Sequence, residues 1–316
     1  MPVFYSPRYE VDIGPHVFPT LKYRLVRDRL VSAGIVDAAD ILEPVTATWD
    51  ELSLVHTREY LEGLREGTLS SEAIAALELP WSTGMVDGFR VMVGGTIDAA
   101  CLACGVSRPE HVPDAGAGSG PAVVCHLGGG LHHAFPNHGE GFCPFNDVAI
   151  AARLLRSRGV ERIAIVDLDV HHGNGTAFIF DAEPAVFTFS MHQQHNYPMW
   201  KPRGSLDIGL SDGTDDARFL DELQRALPTV MASRPQVIFY LAGADPYRDD
   251  QLGGLNLTME GLRRRDRMVL EAAVTARVPV VVTLAGGYAR RVDDTVAIHV
   301  GTIEEASRAA ARATAR

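Results

Sequence analysis

The run Ile163-Ala164-Ile165-Val166-Asp167-Leu168-Asp169-Val170-His171-His172-Gly173-Asn174-Gly175 begins as a continuous aliphatic stretch and then takes a polar residue at every second position. Its first half has the pattern of a strand buried on both faces. Side chains at i, i+2 and i+4 of an extended segment point the same way. Asp167, Asp169 and His171 are therefore expected together at the C-terminal end of a core strand. Two carboxylates and an imidazole placed there resist desolvation unless a cation offsets their charge. Asp245, in Leu241-Ala242-Gly243-Ala244-Asp245-Pro246-Tyr247, offers a further carboxylate after another strand. Asp169, His171 and Asp245 would make three ligands with one position left for water, the ligand count of a catalytic rather than a structural zinc site. One nitrogen and two oxygen donors suit Fe2+ as well.

Other residues complete the chemistry. His132 and His133 follow the glycine run Gly128-Gly129-Gly130 and suit acid and base work on water and leaving group. Asp167 can accept a proton from one of these rings, fixing its tautomer and raising its basicity. Tyr288, after Gly286-Gly287, can present a phenol to a developing oxyanion. Together these residues describe metal-assisted hydrolysis of an amide. The competing reading makes Asp169 a helix cap and leaves His171 and Tyr288 as packing residues. It does not explain why such residues follow four separate strands.

The elements that must position them alternate. Strands are predicted over 3–5, 122–126, 163 onward, 185–190, 237–241 and 280–284. Helices are predicted over 20–33, 49–54, 59–64, 84–104, 146–156, 176–180, 215–232, 258–276 and from about 293. A loop is expected over 113–121, and residues 308–316 read as a solvated helix end. The Gly94-Gly95 pair inside the long helix is expected to permit close packing, and His56 to hold a turn. This alternation predicts an α/β fold: one domain over residues 1–316, with a doubly wound, mostly parallel sheet and helices on both faces. Ligands of such sheets bind beyond the carboxyl ends of the strands, where the candidate residues fall.

Composition narrows the class. A net charge of −11 argues against a dedicated nucleic-acid binder. No apolar run reaches the ~20 residues of a membrane span, and no signal-peptide pattern is seen, so a cytoplasmic location is expected. The four cysteines are too few for a disulfide scaffold, and Cys101 and Cys104 read as buried core thiols.

The chain resembles the histone deacetylase superfamily of the arginase/deacetylase fold. The resemblance is carried by Gly129-Gly130-Leu131-His132-His133, Gly141-Phe142-Cys143, Asn146-Asp147, Asp167 through Gly175, Gly243-Ala244-Asp245 and Gly286-Gly287-Tyr288. It implies zinc at Asp169, His171 and Asp245, His132 paired with Asp167, His133 as principal base and acid, and Tyr288 on the substrate carbonyl. It further implies Gly141 and Phe142 as walls of an acyl-lysine tunnel. A structural K+ is implied at Asp167, Ser190, Met191 and the backbone of Asp169 and His171. Asn174 stands where class I members carry aspartate behind the second histidine, as in class II and IV, so His133 is expected to be less basic than in class I.

Tyr5 through Tyr9, Val55 through Leu61, Gly94-Gly95-Thr96 and Leu252 through Leu255 resemble the class IV deacetylases and their bacterial relatives. That resemblance implies a preference for long fatty-acyl chains over acetyl, and the side-chain-free Gly128, Gly129, Gly130 and Gly141 are compatible with a cavity for one. The substrate is thus expected to be an acyl-lysine protein or peptide. The alternative is an acylated small amine such as an acetylpolyamine, although residues 66–84 leave little room for the entrance loop that such enzymes are expected to carry. An arginase-like ureohydrolase lacks the extra carboxylates for a second metal, and a non-catalytic scaffold would not retain every catalytic residue type.

Overall fold

The computed structural model describes residues 1–108 and 122–314. The loop expected over 113–121 lies outside the described residues. Eight strands form one sheet: β1 (Val3–Phe4), β2 (Ile41–Leu42), β3 (Val123–His126), β4 (Ile163–Asp167), β5 (Val186–Gln193), β6 (Leu206–Leu210), β7 (Val237–Leu241) and β8 (Val280–Thr283). Their order is β2-β1-β3-β8-β7-β4-β5-β6, and every pairing is parallel. The sheet is thus the α/β arrangement expected, with all rather than most of its described strands parallel. The four contiguous central strands β3, β8, β7 and β4 are buried along their whole length.

Helices cover both faces. On one side α5 (Thr83–Cys104) packs on β3 and β8 and against α6 (Asp147–Ser157). On the other, α10 (Val292–Thr314) packs on β3, flanked by α1 (Lys22–Ser32) and α9 (Met259–Ala276), with α8 (Asp216–Ala232) beyond. The short helices are α2 (Trp49–Leu52), α3 (Arg58–Glu66), α4 (Ser71–Leu77) and α7 (Asn174–Phe180). Side-chain caps open the helices where polar residues precede apolar runs: Ser82, Asn146, Asp215 and Thr258 each accept a backbone N–H of the first turn. Among the described residues no helix is long and apolar enough to cross a membrane. All four cysteines are free; Cys101 is buried and Cys104 half-buried.

Three elements escape the sequence pattern. β2 and β6 are the two edges of the sheet, where one side of each strand meets solvent and the apolar signal thins to a half-exposed alternation. The third is α4, for which the sequence reading named no element; only Leu77 of it is buried.

The glycine pair in α5 behaves as expected. A Cβ on Gly94 would sit 1.8 Å from the carbonyl oxygen of Val45, whereas one on Gly84 would meet nothing closer than 3.9 Å. Gly94→Ala should therefore cost about 1–3 kcal/mol through overpacking against backbone. Gly84→Ala should be neutral or slightly stabilising. Urea unfolding of the two variants beside the parent measures the contrast, and equal midpoints would refute it.

Candidate metal and catalytic site

The candidate residues gather at the C-terminal ends of β3, β8, β7 and β4, four neighbours in the sheet. One part of the expected geometry is corrected. β4 ends at Asp167, and residues 169–171 bend instead of continuing as strand. The bend is held by the carboxylates themselves: the N–H of Asp169 donates to Asp167 Oδ1 (3.1 Å) and that of His171 to Asp169 Oδ1 (3.0 Å). Asp167 consequently turns toward His132, and Asp169 and His171 turn toward Asp245.

One ligand atom from each of Asp169, His171 and Asp245 lies within 4.8 Å of the others, close enough for one metal ion, and all three residues are buried. The donor set suits a divalent cation, and two further observations fit one. Asp245 Oδ2 is buried, and among the described residues only the His171 ring faces it, with Nδ1 at a long 3.4 Å. The backbone at Gly286 closes over the carboxylates, where a Cβ would lie 2.0 Å from Asp245 Oδ2 and 2.6 Å from Asp169 Oδ2. Burial, with the Asp169 charge beside it, raises the Asp245 carboxyl to about 7. Burial alone would lower His171, but the hydrogen bonds and charges of Asp169 and Asp245 prevail and raise it to about 10. Protons thus fill part of the place that a cation would take.

The histidine pair is arranged in series. His132 Nδ1 donates to Asp167 Oδ2 at 2.6 Å, and the two Nε2 atoms of His132 and His133 lie 3.0 Å apart. A contact between two ring nitrogens holds one proton. Burial opposes charge on both rings, yet the charges of Asp167 and Asp169 raise His132 to about 9. Burial and the neighbouring His132 push His133 well below the ordinary range. The shared proton therefore rests on His132 and leaves His133 neutral. His133 Nδ1 donates to Asn174 Oδ1 at 2.7 Å, and the Asn174 amide donates to Glu140 Oε1 at 2.8 Å. That second bond decides which way the Asn174 amide faces, because a carboxylate accepts only from the NH2 end. Tyr197 O–H also donates to Glu140 Oε1.

His133 and His171 line a pocket of about 200 Å³ whose walls include Phe142, Tyr197, Leu252 and Tyr288, with Glu78 also lining it. Phe142 stands at φ +65° and Gly141 at +51°. Their N–H groups donate to the carbonyls of Leu77 and Ala76 at the end of α4, so the overlooked helix holds this wall. A Cβ on Gly141 would lie 2.8 Å from the His133 ring and 2.9 Å from that of Tyr197. Burial first, then the charges of Asp169 and Asp245, hold the Tyr288 phenol protonated, far above its usual range. Beyond this pocket an inner cavity of about 30 Å³ is lined by Gly129, Gly130, Gly141 and Tyr288.

The glycines do not open space there. A Cβ on Gly128, Gly129 or Gly130 would come within 3.0 Å or less of His126, of Asp147, or of Ala285 respectively. Ser190 pairs in register with Asp167, and Met191 follows it on β5.

Several residues that shape the site carry no motif of their own. Asn146 and Asp147, quoted above for resemblance alone, hold the histidine loop. Asp147 accepts the N–H groups of Gly130 and Leu131, and the Asn146 amide reaches the carbonyls of His132 and Ala134. His56, expected to hold a turn, bridges farther, with its ring between Phe135 O and Asn146 N. Buried Lys22 donates to Ala285 O in the loop that carries Tyr288. Arg265, fully buried on α9, donates to Gly243 O (2.6 Å) and Leu168 O (3.3 Å). It thereby ties the ends of β7 and β4 just before Asp245 and Asp169. Only partner geometry reveals these roles. A lone Arg or Lys on an amphipathic helix gives no such signal.

Arg265→Met would strand both carbonyls and leave Asp266, its ion-pair partner, as an uncompensated buried charge, a loss of about 3–5 kcal/mol. The two strand ends should also loosen. We expect lower thermal stability together with weaker metal retention against a chelator, both partly restored by Arg265→Lys. Unchanged retention in a destabilised variant would limit Arg265 to a role in folding.

A sequence model of the histone deacetylase domain matches residues 16–303. An uncharacterized protein of Picosynechococcus is 42% identical over 301 residues, covering 94% of this chain and 95% of its own length. Acetoin utilization protein AcuC of Staphylococcus aureus is 30% identical over 297 residues, covering 86% of this chain and 72% of its own. Among solved structures, an HDAC homolog complexed with SAHA is similar with a TM-score of 0.80 at 24% identity, covering 97% of this chain and 84% of that one. At that identity the likeness speaks for the fold alone. With the domain match running through every segment that builds the site, the chain belongs to the histone deacetylase family.

Proposed function

We propose that this chain is a zinc-dependent hydrolase that removes a short acyl group, acetyl above all, from lysine side chains of a polypeptide. The family supports a deacetylase acting on amides. The observation that carries the finer reading is the group Asp169, His171 and Asp245 beside the His132–His133 pair, with His133 and His171 lining one pocket. We take residues 1–316 as one catalytic domain, because strands from both ends of the chain share the sheet.

A zinc ion at Asp169, His171 and Asp245, or Fe2+ in its place, would polarise the acyl carbonyl and acidify water. His133 is neutral, with Nδ1–H bound to Asn174, so Nε2 carries its one lone pair, which accepts from His132 Nε2–H here and takes the water proton once it exchanges that contact for water. The same nitrogen returns a proton to the departing lysine amine. His132 keeps its own proton on the Asp167 side and lends positive charge. Tyr288 O–H donates to the carbonyl oxygen as negative charge develops. Phe142 and Tyr197 enclose the lysine methylenes and exclude water. Asp167, Ser190, Met191 and the backbone of Asp169 and His171 are the residues that we assign to a structural K+.

The space available supports a short acyl group. The inner cavity of about 30 Å³ holds no more than about two waters, and the glycines around it are already covered by neighbouring atoms. That space supports acetyl over a long fatty chain, where the class IV resemblance implies the long one. A second reading, an acylated small amine, is favoured by Glu78: its exposed carboxylate lines the pocket and could receive a cationic amine.

The test is catalytic efficiency on one peptide carrying acetyl-, octanoyl- or myristoyl-lysine, beside an acetylated diamine. Acetyl-lysine should lead, and Asp245→Ala should lose bound metal and turnover together. Turnover of the diamine alone would favour the second reading, and faster octanoyl hydrolysis would refute the acyl assignment.

Tyr288→Phe removes one donor without touching the metal ligands. Turnover should fall by ~10²–10³ with metal content unchanged. A variant within about twofold of the parent would show that Tyr288 only packs.

A further inference from the structure

Among the described residues, five large apolar side chains are exposed: Leu21, Leu42, Phe178, Met199 and Trp200. The last two lie in a single loop, and Phe178 packs against one of them. The Trp200 ring lies 5.6 Å from Phe135 in a stacked arrangement and 5.8 Å from Phe178 at an angle, yet the residue stays 58% exposed, and Met199 is 98% exposed. This loop is not loose. Lys201 donates to the carbonyls of Asn196 and Pro198, closing the turn. An ordered apolar patch left in water marks a surface used for contact.

The patch continues the rim of the pocket. Asn196 and Tyr197 line that pocket, and only two residues separate Tyr197 from Trp200, so their Cα atoms lie within about 11 Å. On the other flank, Tyr197 shares Glu140 with His138, whose ring stacks on Phe135 beneath Trp200. The two regions are thus joined through side chains as well as through the chain. A lysine threaded into the pocket leaves its own backbone at this rim. The residues one and two places along then lie about 4–7 Å farther out, with side chains able to reach the patch.

We infer that Met199, Trp200 and Phe178 form a docking surface for an apolar residue flanking the acylated lysine of a polypeptide substrate. This rests on the lysine-deacylase reading above and sharpens it: the enzyme selects by the residue beside the lysine, a preference that a free acylated amine cannot satisfy. The surface acts on binding and not on the reacting bond, so the preference belongs in KM.

The experiment compares acetyl-lysine peptides that differ only in carrying Phe or Ser one or two places from the lysine. The parent should favour Phe by about tenfold in kcat/KM, mostly through KM. Met199→Ser and Trp200→Ser should each shrink that ratio, with the rate on acetyl-lysine amide used to normalise for active protein. Met199 is almost wholly exposed, so its variant is expected to fold even where Trp200→Ser does not. Equal efficiencies on the two peptides in the parent, or an unaltered ratio in a folded Met199→Ser, would overturn the inference. A dimer of the parent that these substitutions split would also overturn it, by showing that a second copy covers the patch. If no acetyl-lysine peptide is hydrolysed while an acetylated diamine is, the lysine reading itself falls. That outcome is distinct from hydrolysis without flank preference.

Discussion

Three carboxylates, Asp167, Asp169 and Asp245, are buried within a few ångströms of the ends of two adjacent strands, and the surrounding structure answers that concentration of charge. Leaving a buried charge unpaired costs far more than a paired one returns. Five of their six oxygens therefore accept hydrogen bonds. Asp167 takes His132 and the Asp169 N–H. Asp169 takes the backbone N–H groups of His171 and Gly286 together with the His171 ring. Asp245 takes the Val170 N–H on one oxygen, and its other oxygen faces only the His171 ring, at 3.4 Å, among the described residues.

The charge balance also reaches helices that contribute nothing to the pocket surface. Arg265 comes from α9 and Lys22 from α1, both fully buried, and both donate to backbone carbonyls near the ligands instead of pairing with the ligands. Burial holds the Lys22 ammonium down to about 8 despite the surrounding carboxylates. A cation that neutralised Asp169 or Asp245 directly would compete with metal. One carbonyl away, it steadies the strand ends and leaves the ligand oxygens free.

The loop from Gly128 to Phe145 shows the complementary problem. Its backbone pairs with itself only in short turns, Phe135 with His138 and Glu140 with Cys143, and other groups need side-chain partners. Asp147, Asn146 and the His56 ring supply the missing partners. His126 and Thr96 fill the space beneath, and burial keeps the His126 ring neutral at about 3. Such a scaffold holds His132 and His133 in one geometry, which is what the acid and base roles proposed for them would require.

Much of this was legible along the chain. Continuous aliphatic runs identified the central strands, since a strand covered on both faces must be apolar throughout, and the residues after four of them form one site because a parallel sheet places all its carboxyl ends on one rim. The edge strands β2 and β6 were not legible, because half their surface meets water and their pattern weakens. Asp167, Asp169 and His171 were read as one face of an extended segment, but local hydrogen bonds from the carboxylates to the following N–H groups ended the strand and divided the three between two tasks. Sequence determined which residue types were available and at which strand ends. Tertiary structure alone decided the orientation of Asn174 through Glu140, the anchoring of the strand ends by Arg265, the filling of the glycine-lined space and the exposure of Met199 and Trp200. Each of those depends on atoms brought together from distant parts of the chain, and spacing along a sequence carries no record of them.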